Sequence, residues 1–487
     1  MLTPAEEQGL SGLNLAGRVR QAFYRIPESA LSDLMRRIQE SAFERHLVYI
    51  RDGKIDTINV LACPLTVLSE QVAYVHSVSL TILRALKQLP EIYLQDFGVR
   101  EILKIPEEEE RWLFSCWGKS QQENDPVFGR LDALVDFTRP TWKQSLRFVE
   151  PNLSGIGGLH LVPTSERILA ELVVPLLREQ DSQLQLEVGQ DMRDLLMQEV
   201  LDHSQAIGRP ARTICFVEPK DGGSGTDEQE ALARHFHDRF GLVVFHADPR
   251  ELGLKDGEVY CGGALVDLAY RDYSVNDLLR LAEGGEGVES MRTLFLQNRM
   301  ISSITAELDQ KSCWEVFTDP VIASRYFSAD ERQIFRRHIL WTRIVSDRKT
   351  TLPDGQSGGL LDFIRREHEY LVLKPNRSYG GHGVLLGHSM TQSEWDTAIE
   401  SALKDGERWV VQQLASIPVY EFPVISPDGV VHAEPFHTVM GFAATKDGVS
   451  ILGRASQKQV VNVALRGGIC GVLRGHPVGG LQGPGRW

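Results

Sequence analysis

The sequence predicts a mixed α/β (α+β) protein built from several domains, and three observations support this. The chain has 487 residues, which corresponds to about three domains of roughly 150 residues each. Residues 211–275 alternate between strand, helix and strand patterns, as in a small parallel sheet. From residue 370 onward, short apolar runs are separated by SPDG and TKDG turns, which are typical of antiparallel hairpins.

Composition and charge exclude several classes of protein. Hydrophobic residues make up 42% of the chain and charged residues 24%, which is ordinary for a globular protein with a core. The net charge of −14 argues against a nucleic-acid partner, which would need a basic surface. No run approaches 18 apolar residues, so no membrane partner or transmembrane helix is expected. Six scattered cysteines and an N-terminal segment unlike a signal peptide predict a cytoplasmic protein with reduced thiols.

We divide the chain into four segments by pattern. Residues 1–208 begin with helical periodicity, in SALSDLMRRIQE and VSLTILRALKQL, and lead into a strand pair. The acidic run IPEEEERW at 105–112 predicts a solvated surface. Residues 209–298 form the small α/β unit, and residues 299–468 carry a helical stretch followed by strands. The Gly-rich residues 469–487 predict a loose tail.

A pair of predicted strands, RLDALVDF and SLRFVEPN, brings polar side chains together. One antiparallel register places Asp132 opposite Glu150 and Arg130 opposite Asn152, with all four on one face. Two carboxylates and an amide oxygen suit Mg²⁺, and the arginine suits a phosphoryl group. A surface network of charges is the alternative interpretation. Asp136 falls on the same face and is the fallback carboxylate.

A glycine loop between two apolar strands is the most informative segment, YLVLKPNRSYGGHGVLLG. The first strand delivers Lys374, and the loop contains Ser378, Gly380, Gly381 and Gly383. Glycines let the backbone approach a ligand and present N–H groups to an anion. The lysine can reach phosphate oxygens. The segment predicts a flap over phosphates, and a Gly-rich hairpin with a surface lysine is the alternative.

Two other segments bear on nucleotide binding. The GKS at 118–120 lacks the glycine that a P-loop requires five residues before its lysine, so that interpretation fails. WVVQQLA at 409–415 is an apolar strand whose end can offer backbone groups to an adenine edge. An ordinary core strand is the alternative for this segment.

Together these motifs resemble the circularly permuted ATP-grasp family, to which glutathionylspermidine synthetase and related carboxylate–amine ligases belong. In that family an R-x-D strand and an E-x-N strand precede the flap, as RLD and EPN precede KPNRSYGGHG here. The likeness spans about residues 125–468 and implies an ATP-grasp fold with an inserted, pre-ATP-grasp-like α/β domain at 209–298. The middle residue of the E-x-N strand is Pro151, which predicts a sheet edge or a strand end.

The resemblance implies a role for each matching residue. Catalytic roles fall to Arg130 and Arg454, and the metal ligands are Asp132, Glu150 and Asn152. LDQKSCWEVFTD at 308–319 is similar to the helix whose lysine meets the nucleotide, with a solvent-facing lysine as the alternative. The implied nucleotide-binding residues are Lys311, Lys374, Ser378, Tyr379, Gly380, Gly381, Gly383, Gln412, Gln413 and Leu414.

The activity implied by the resemblance is ATP-dependent ligation, with ATP and Mg²⁺ as cofactors. ATP would phosphorylate a small-molecule or peptide carboxylate, an amine would attack the acyl phosphate, and ADP and phosphate would be released. GIGGLH at 155–160 and the N-terminal 120 residues are expected to shape the acceptor pocket. Two alternatives remain open: a nucleotide-binding scaffold that lost its chemistry, and a kinase that releases a phosphorylated product.

Overall fold

A computed structural model describes residues 3–51, 54–220, 225–226, 228–378, 380–426, 430–459, 461 and 467–476. Its helices are α1 (Pro4–Tyr24), α2 (Glu28–Glu44), α3 (Ser69–Leu86), α4 (Leu89–Gln95), α5 (Phe97–Ile102), α6 (Glu107–Cys116), α7 (Lys119–Glu123), α8 (Trp142–Ser145), α9 (Leu161–Leu172), α10 (Val174–Gln180), α11 (Met192–Ala206), α12 (Gln229–Phe240), α13 (Val275–Glu283), α14 (Glu289–Leu296), α15 (Cys313–Thr318), α16 (Pro320–Tyr326), α17 (Ala329–His338), α18 (Leu360–Arg366) and α19 (Gln392–Lys404). Short 3₁₀ turns lie at Pro249–Glu251, Ile304–Leu308, His368–Tyr370 and Gly387–Ser389. Within these described ranges, no helix is long and apolar enough to cross a membrane.

Strands and helices share the chain, so the mixed α/β class that the sequence predicts is confirmed. The strands are β1 (Val48–Arg51), β2 (Lys54–Thr57), β3 (Val60–Leu68), β4 (Arg130–Leu134), β5 (Arg147–Asn152), β6 (Leu186–Glu187), β7 (Thr213–Val217), β8 (Gly225–Thr226), β9 (Val243–Ala247), β10 (Leu252–Lys255), β11 (Glu258–Cys261), β12 (Ala264–Leu265), β13 (Leu268–Arg271), β14 (Met300–Ile301), β15 (Thr342–Ile344), β16 (Lys349–Thr351), β17 (Ser357–Gly359), β18 (Leu371–Pro375), β19 (Leu385–Leu386), β20 (Trp409–Gln413), β21 (Val419–Ile425), β22 (Val431–Thr445), β23 (Gly448–Ser456) and β24 (Gly468–Gly475).

The largest sheet joins the two ends of the chain. Its order is β3, β24, β23, β22, β4 and β5, with β21 beside β22 and β6 beside β24. Helices α1, α2 and α9 share one apolar core with β3 and β24. The hairpin of β22 and β23 turns at TKDG, where Thr445 faces Gly448, as predicted. Three residues of the predicted SPDG turn lie outside the described residues.

The predicted loose tail is wrong for residues 469–475. They belong to β24, which pairs in parallel with β3 and antiparallel with β23. The glycines that suggested a tail serve close packing instead. A Cβ on Gly471 would lie 2.5 Å from the Leu169 side chain, and one on Gly475 would lie 2.4 Å from Leu15. These positions therefore exclude larger side chains because helices α9 and α1 press against the strand. Residues 477–487 lie outside the described residues.

The N-terminal region is less helical than the sequence suggests. Between α2 and α3, residues 48–68 form β1, β2 and β3. The segment VLACPLTVL of β3 is buried along nearly its whole length. A continuous apolar run of this length fits a strand that is covered on both faces.

The predicted strand pair forms with the predicted register. Asp132 lies opposite Glu150 and Arg130 lies opposite Asn152, and β5 is the edge strand that Pro151 predicts. Helix α8 occupies the connection, and the register shifts after Asp132. This β-bulge changes which face the following residues occupy.

Two smaller sheets flank the large one. The sheet of β14, β13, β7 and β9 is entirely parallel, which confirms the predicted small parallel-sheet unit. The antiparallel sheet of β15, β20, β18 and β19 carries the glycine loop between β18 and β19. The remaining strands form short sheets, namely β2–β1–β8, β10–β11–β12 and β16–β17.

Candidate functional site

A cleft of about 1300 Å³ brings most of the predicted residues together. One wall, which we call the hairpin wall, consists of β4 and β5 with their neighbours β22 and β23. The other, the lid wall, consists of β18 to β20 with the flap at 377–383. The predicted residues that line the cleft are Arg130, Asp132, Glu150, Asn152, Lys374, Ser378, Gly380, Gly381, Gln412, Gln413, Leu414 and Arg454. Lys311 and Gly383 are not in its lining, and Tyr379 lies outside the described residues.

Two arginines hold Asp132 at the centre of the hairpin wall. Its Oδ1 lies 2.9 Å from Arg130 Nε, and its Oδ2 lies 2.8 Å from the terminal nitrogen Nη2 of Arg454. Burial raises the pKa of Asp132, but the two guanidinium groups outweigh that effect, so its pKa is lowered. The carboxylate is therefore charged at neutral pH and neutralises part of the charge of both arginines.

A glycine on the neighbouring strand leaves room for this arrangement. Gly441 of β22 lies opposite Asp132. A Cβ at Gly441 would lie 2.5 Å from Arg130 Cδ and 2.9 Å from Asp132 Oδ1. The arginine side chain therefore crosses the neighbouring strand at a point where only hydrogen fits.

Lys311 links the two walls from behind the cleft. Its Nζ lies 3.4 Å from Glu150 Oε2 and donates to the carbonyl oxygen of Ser378 at 2.5 Å. Lys311 is buried, so the solvent-facing alternative is wrong. The helix predicted for 308–319 is only partly present, because Lys311 lies in the turn before α15 (Cys313–Thr318). This turn sets the lysine between the hairpin and the flap.

Lys374 is the buried cation of the lid wall, with 8% of its surface exposed. Its Nζ donates to Gln412 Oε1 at 2.8 Å. Burial, aided by Lys311, lowers the pKa of Lys374 to about 8, although the Glu150 carboxylate acts in the opposite direction. Gln412 is itself fixed, because its amide donates to the Val149 carbonyl across the cleft. A buried ammonium beside the cleft suits an anionic ligand that would restore its lost hydration.

The flap has the backbone that its glycines permit. Gly380, Gly381 and Gly383 have φ of 72°, 75° and 70°, values that favour glycine. The start of the flap is fixed, because Arg377 donates from both terminal nitrogens to the carboxylate of Glu109 at 2.9 and 2.6 Å. Glu109 is fully buried, so the predicted solvated surface at 105–112 is wrong for this residue.

The end of β20, which we call the hinge segment (residues 413–415), was predicted to offer backbone groups to a base. The Gln413 N–H donates to the Trp341 carbonyl and the Leu414 N–H donates to the Tyr370 carbonyl. Both N–H groups are thus donors within the protein. Any contact between these two N–H groups and a base would replace an existing hydrogen bond.

The cleft contains buried polar atoms that suit a ligand. Asn152 Nδ2 and Arg454 Nε are buried and have no hydrogen-bond partner within the described part of the chain. Buried polar atoms are rarely left without partners. Glu150 and Asn152 together provide carboxylate and amide oxygens, a donor set that fits Mg²⁺. Asp132 is already paired through both oxygens, so it fits a metal less readily than Glu150 does.

The fallback ligand Asp136 does not reach this cleft. The bulge after Asp132 and the end of β4 at Leu134 turn it towards a second cavity. There its carboxylate accepts hydrogen bonds from Thr138, Arg139 and Tyr420. Asp136 is therefore not a ligand of the site formed by the strand pair.

One part of the cleft, which we call the acidic end, carries Asp272 and Asp277 beside the loop that follows β5. Arg280 also lines the cleft, and its guanidinium lies 3.8 Å from Asp277 Oδ1. Burial raises the pKa of Asp272 to about 7, and nearby carboxylates including Glu218 add to the effect. A Cβ on Gly155 would lie 1.8 Å from Asp272 Oδ1, so the loop passes directly against this carboxylate. Gly155 and Ile156 line the cleft, as does Glu101 of the N-terminal region.

Sequence reasoning missed several of these residues. Glu109 lies within an acidic run, and Asp272 has no distinctive motif around it. Gly441 carries a weak signal, since a glycine within an apolar strand indicates a close approach of another group. Asp309 was also missed, although its Oδ2 accepts the Leu153 N–H at 2.8 Å and so fixes the loop after Asn152.

Comparison with known proteins identifies a structure with a similar fold. No family model matches this chain, and no curated protein does. A solved structure that matches is the apo form of GSS30, a glutathione synthetase-like effector from Globodera pallida. The two share 12% sequence identity with a TM-score of 0.58, and the match covers 92% of this chain and 97% of that one. The chain therefore shares its overall fold with a glutathione synthetase-like protein.

Proposed function

We propose that this protein is an ATP-dependent carboxylate–amine ligase of the circularly permuted ATP-grasp type. The main support is that the hairpin wall and the lid wall face one cleft, although their motifs lie more than 200 residues apart in the sequence. The shared fold with a glutathione synthetase-like protein is in keeping with this proposal. The reaction would form an amide bond through an acyl phosphate and release ADP and phosphate.

In this proposal the chain's own cations bind and position the phosphates. Lys374 and the flap N–H groups would contact phosphate oxygens. Arg454 and Arg130 would face the transferred phosphoryl group and the acyl carbon, where negative charge develops. The closed flap would exclude water and protect the acyl phosphate from hydrolysis.

Glu150 and Asn152 would hold a magnesium ion, with Asp132 close by. Bound Mg²⁺ would neutralise phosphate charge and orient the nucleotide. Lys311 would keep Glu150 in place, because it already links that carboxylate to the flap.

The acidic end of the cleft would receive the amine. Because its pKa is raised to about 7, Asp272 is suited to accept a proton from an ammonium group near neutral pH. The Asp272→Asn variant is expected to raise KM for the amine more than KM for ATP.

The experiment is a phosphate-release screen of pairs of carboxylic acids and amines with Mg-ATP. We expect release that requires both substrates, with ADP as the nucleotide product and with hydroxylamine able to trap the activated acyl group. The matched control is Lys404→Ala, an exposed lysine on α19, which should leave the rate unchanged. AMP and pyrophosphate as products would contradict the acyl-phosphate route.

One observation favours a second candidate, a nucleotide-binding protein without ligase chemistry. Asp132 is already paired with Arg130 and Arg454, and the hinge N–H groups are donors within the protein. In that case Mg-ATP would raise the melting temperature, but no pair of substrates would release phosphate. Accumulation of a stable phosphoester would instead indicate a kinase.

A further inference from the structure

A second cavity, of about 740 Å³, adjoins the cleft. The hinge segment and Leu340 line both cavities, so the second cavity borders the proposed nucleotide site. Its volume is within the range of small-molecule sites, roughly 300–1,000 Å³.

The charges of this cavity are unbalanced. It is lined by four arginines and one carboxylate, Asp136. Asp136 is paired with Arg139. The other three arginines, Arg147, Arg332 and Arg336, have no carboxylate partner among the described residues. In a chain with a net charge of −14, a concentration of unpaired positive charge is an anion-attracting surface.

Arg147 is the central observation. Its Nη1 is buried and has no hydrogen-bond partner within the described ranges. Burial and the charge of Arg337 lower its pKa. By contrast, the fully buried Arg343 donates to Thr350, Thr318 and a backbone carbonyl. Arg147 as a whole is half-buried, so the unsatisfied group is its enclosed Nη1 donor, and a buried donor without a partner is unfavourable unless a ligand accepts from it.

Apolar side chains also line the cavity, beside polar ones such as Thr141, Gln144 and Ser145. Phe317, Ile339 and Trp341 line it and are themselves buried. Cationic groups beside an apolar surface suit a ligand with a charged head and an apolar body.

We propose that this second cavity binds an organic anion, whose carboxylate or phosphate group pairs with Arg147 and Arg336 and whose apolar part lies against Trp341. Binding at the second cavity does not depend on ligase activity.

The test is calorimetric titration of the full chain with phenyl phosphate and with phenylacetate. Two partial probes serve as controls. Inorganic phosphate has the charged group without the aromatic ring, and benzyl alcohol has the ring without the charge. We expect one aromatic anion to bind at least tenfold more tightly than either partial probe, and the tighter of the two identifies the charged group. Arg147→Gln and Arg336→Gln should each weaken that binding at least fivefold. Arg36→Gln, an exposed arginine on α2, should not.

Lys374→Ala separates the two cavities, since it removes a cation from the cleft alone. Unchanged probe affinity in this variant supports the second cavity. Loss of binding in Lys374→Ala with full binding in Arg147→Gln and Arg336→Gln would overturn the proposal. Equal affinity in all variants would also overturn it.

The unliganded protein offers a second readout. Arg147 is half-buried and its enclosed Nη1 has no partner within the described ranges, so Arg147→Gln should leave the melting temperature unchanged or raise it. A lower melting temperature would show that the guanidinium supports the fold and would contradict this step. Arg336 is exposed, so we expect Arg336→Gln to fold whether or not Arg147 supports the fold. The Arg336→Gln variant therefore tests binding independently of stability.

Discussion

The two walls of the cleft hold their charged groups in different ways. On the hairpin wall, Asp132 lies between Arg130 and Arg454 within the largest sheet, so opposite charges are paired before any ligand arrives. On the lid wall, the Lys374 ammonium donates to the neutral side-chain amide of Gln412. Changes on the hairpin wall should therefore reduce stability as well as activity, whereas changes on the lid wall should reduce ligand binding and turnover with the fold intact.

The largest effect is expected from Lys374→Ala. Loss of the ammonium removes a charge that would contact the phosphates, and turnover of ATP should fall at least about 1,000-fold, or about 4 kcal/mol. The melting temperature should not fall, because the variant also removes a buried charge. Steady-state phosphate release and thermal unfolding measure the two effects. Turnover at the parent rate would contradict the role of the lid wall.

Asp132→Asn should reduce the stability of the fold, unlike Lys374→Ala. The substitution leaves Arg130 and Arg454 buried without a carboxylate, which costs about 3 kcal/mol of unfolding free energy. Denaturant unfolding measures this loss. The matched control is Asp238→Asn, an exposed carboxylate on α12, which should leave the unfolding free energy unchanged. If Asp132→Asn were as stable as the parent, the pairing on the hairpin wall would not be a stabilising feature.

Gly441→Ala tests the hairpin wall without touching a charge. The new Cβ would collide with Arg130 and Asp132, so the pair must shift. We expect turnover to fall about tenfold, or about 1.4 kcal/mol in the barrier. Gly253→Ala is the control, since nothing lies within 4 Å of its added Cβ. Equal rates for the two variants would show that the position of the pair is not critical.

The sequence predicted the hairpin wall better than the rest of the site. Alternation along two nearby strands determined the register of Arg130, Asp132, Glu150 and Asn152, because local pairing obeys simple geometry. It did not anticipate the bulge that turns Asp136 away, since a bulge depends on tertiary context.

Long-range features were missed for a different reason. Strand β24 pairs with β3, which lies some 400 residues earlier in the sequence, and no local sequence pattern predicts such a contact. Its glycines predict a tail when only the local sequence is considered, whereas in the structure they accommodate helices α1 and α9. The acidic neighbours of Glu109 predict a solvent-exposed side chain, but its partner Arg377 lies 268 residues away in the sequence.

Above pH 8, the pH dependence of ATP binding should reflect Lys374 of the lid wall, because the Asp272 carboxyl, whose pKa is raised to about 7, has lost most of its proton there. The pKa of Lys374 is about 8, so the side chain is charged below that pH and loses its charge above it. ATP affinity should therefore fall as pH rises past 8, by up to about tenfold per pH unit. The ATP affinity of Lys374→Arg should not change with pH over this range, because a guanidinium stays charged. ATP titrations of both proteins between pH 7 and 9.5 measure these affinities. A pH-independent affinity in the parent would contradict the role of the Lys374 charge.

The smallest effect concerns the attachment of the flap. Glu109→Gln keeps a hydrogen-bond acceptor for Arg377 but removes the charge, so the flap should be held less firmly. We expect KM for ATP to rise about threefold, with kcat changed by less than twofold, because the flap positions the phosphates but does not react with them. The control is Glu108→Gln, an exposed neighbour on the same helix. If both variants behave alike, the lid wall does not depend on α6, and its position follows from β18 and β20 alone.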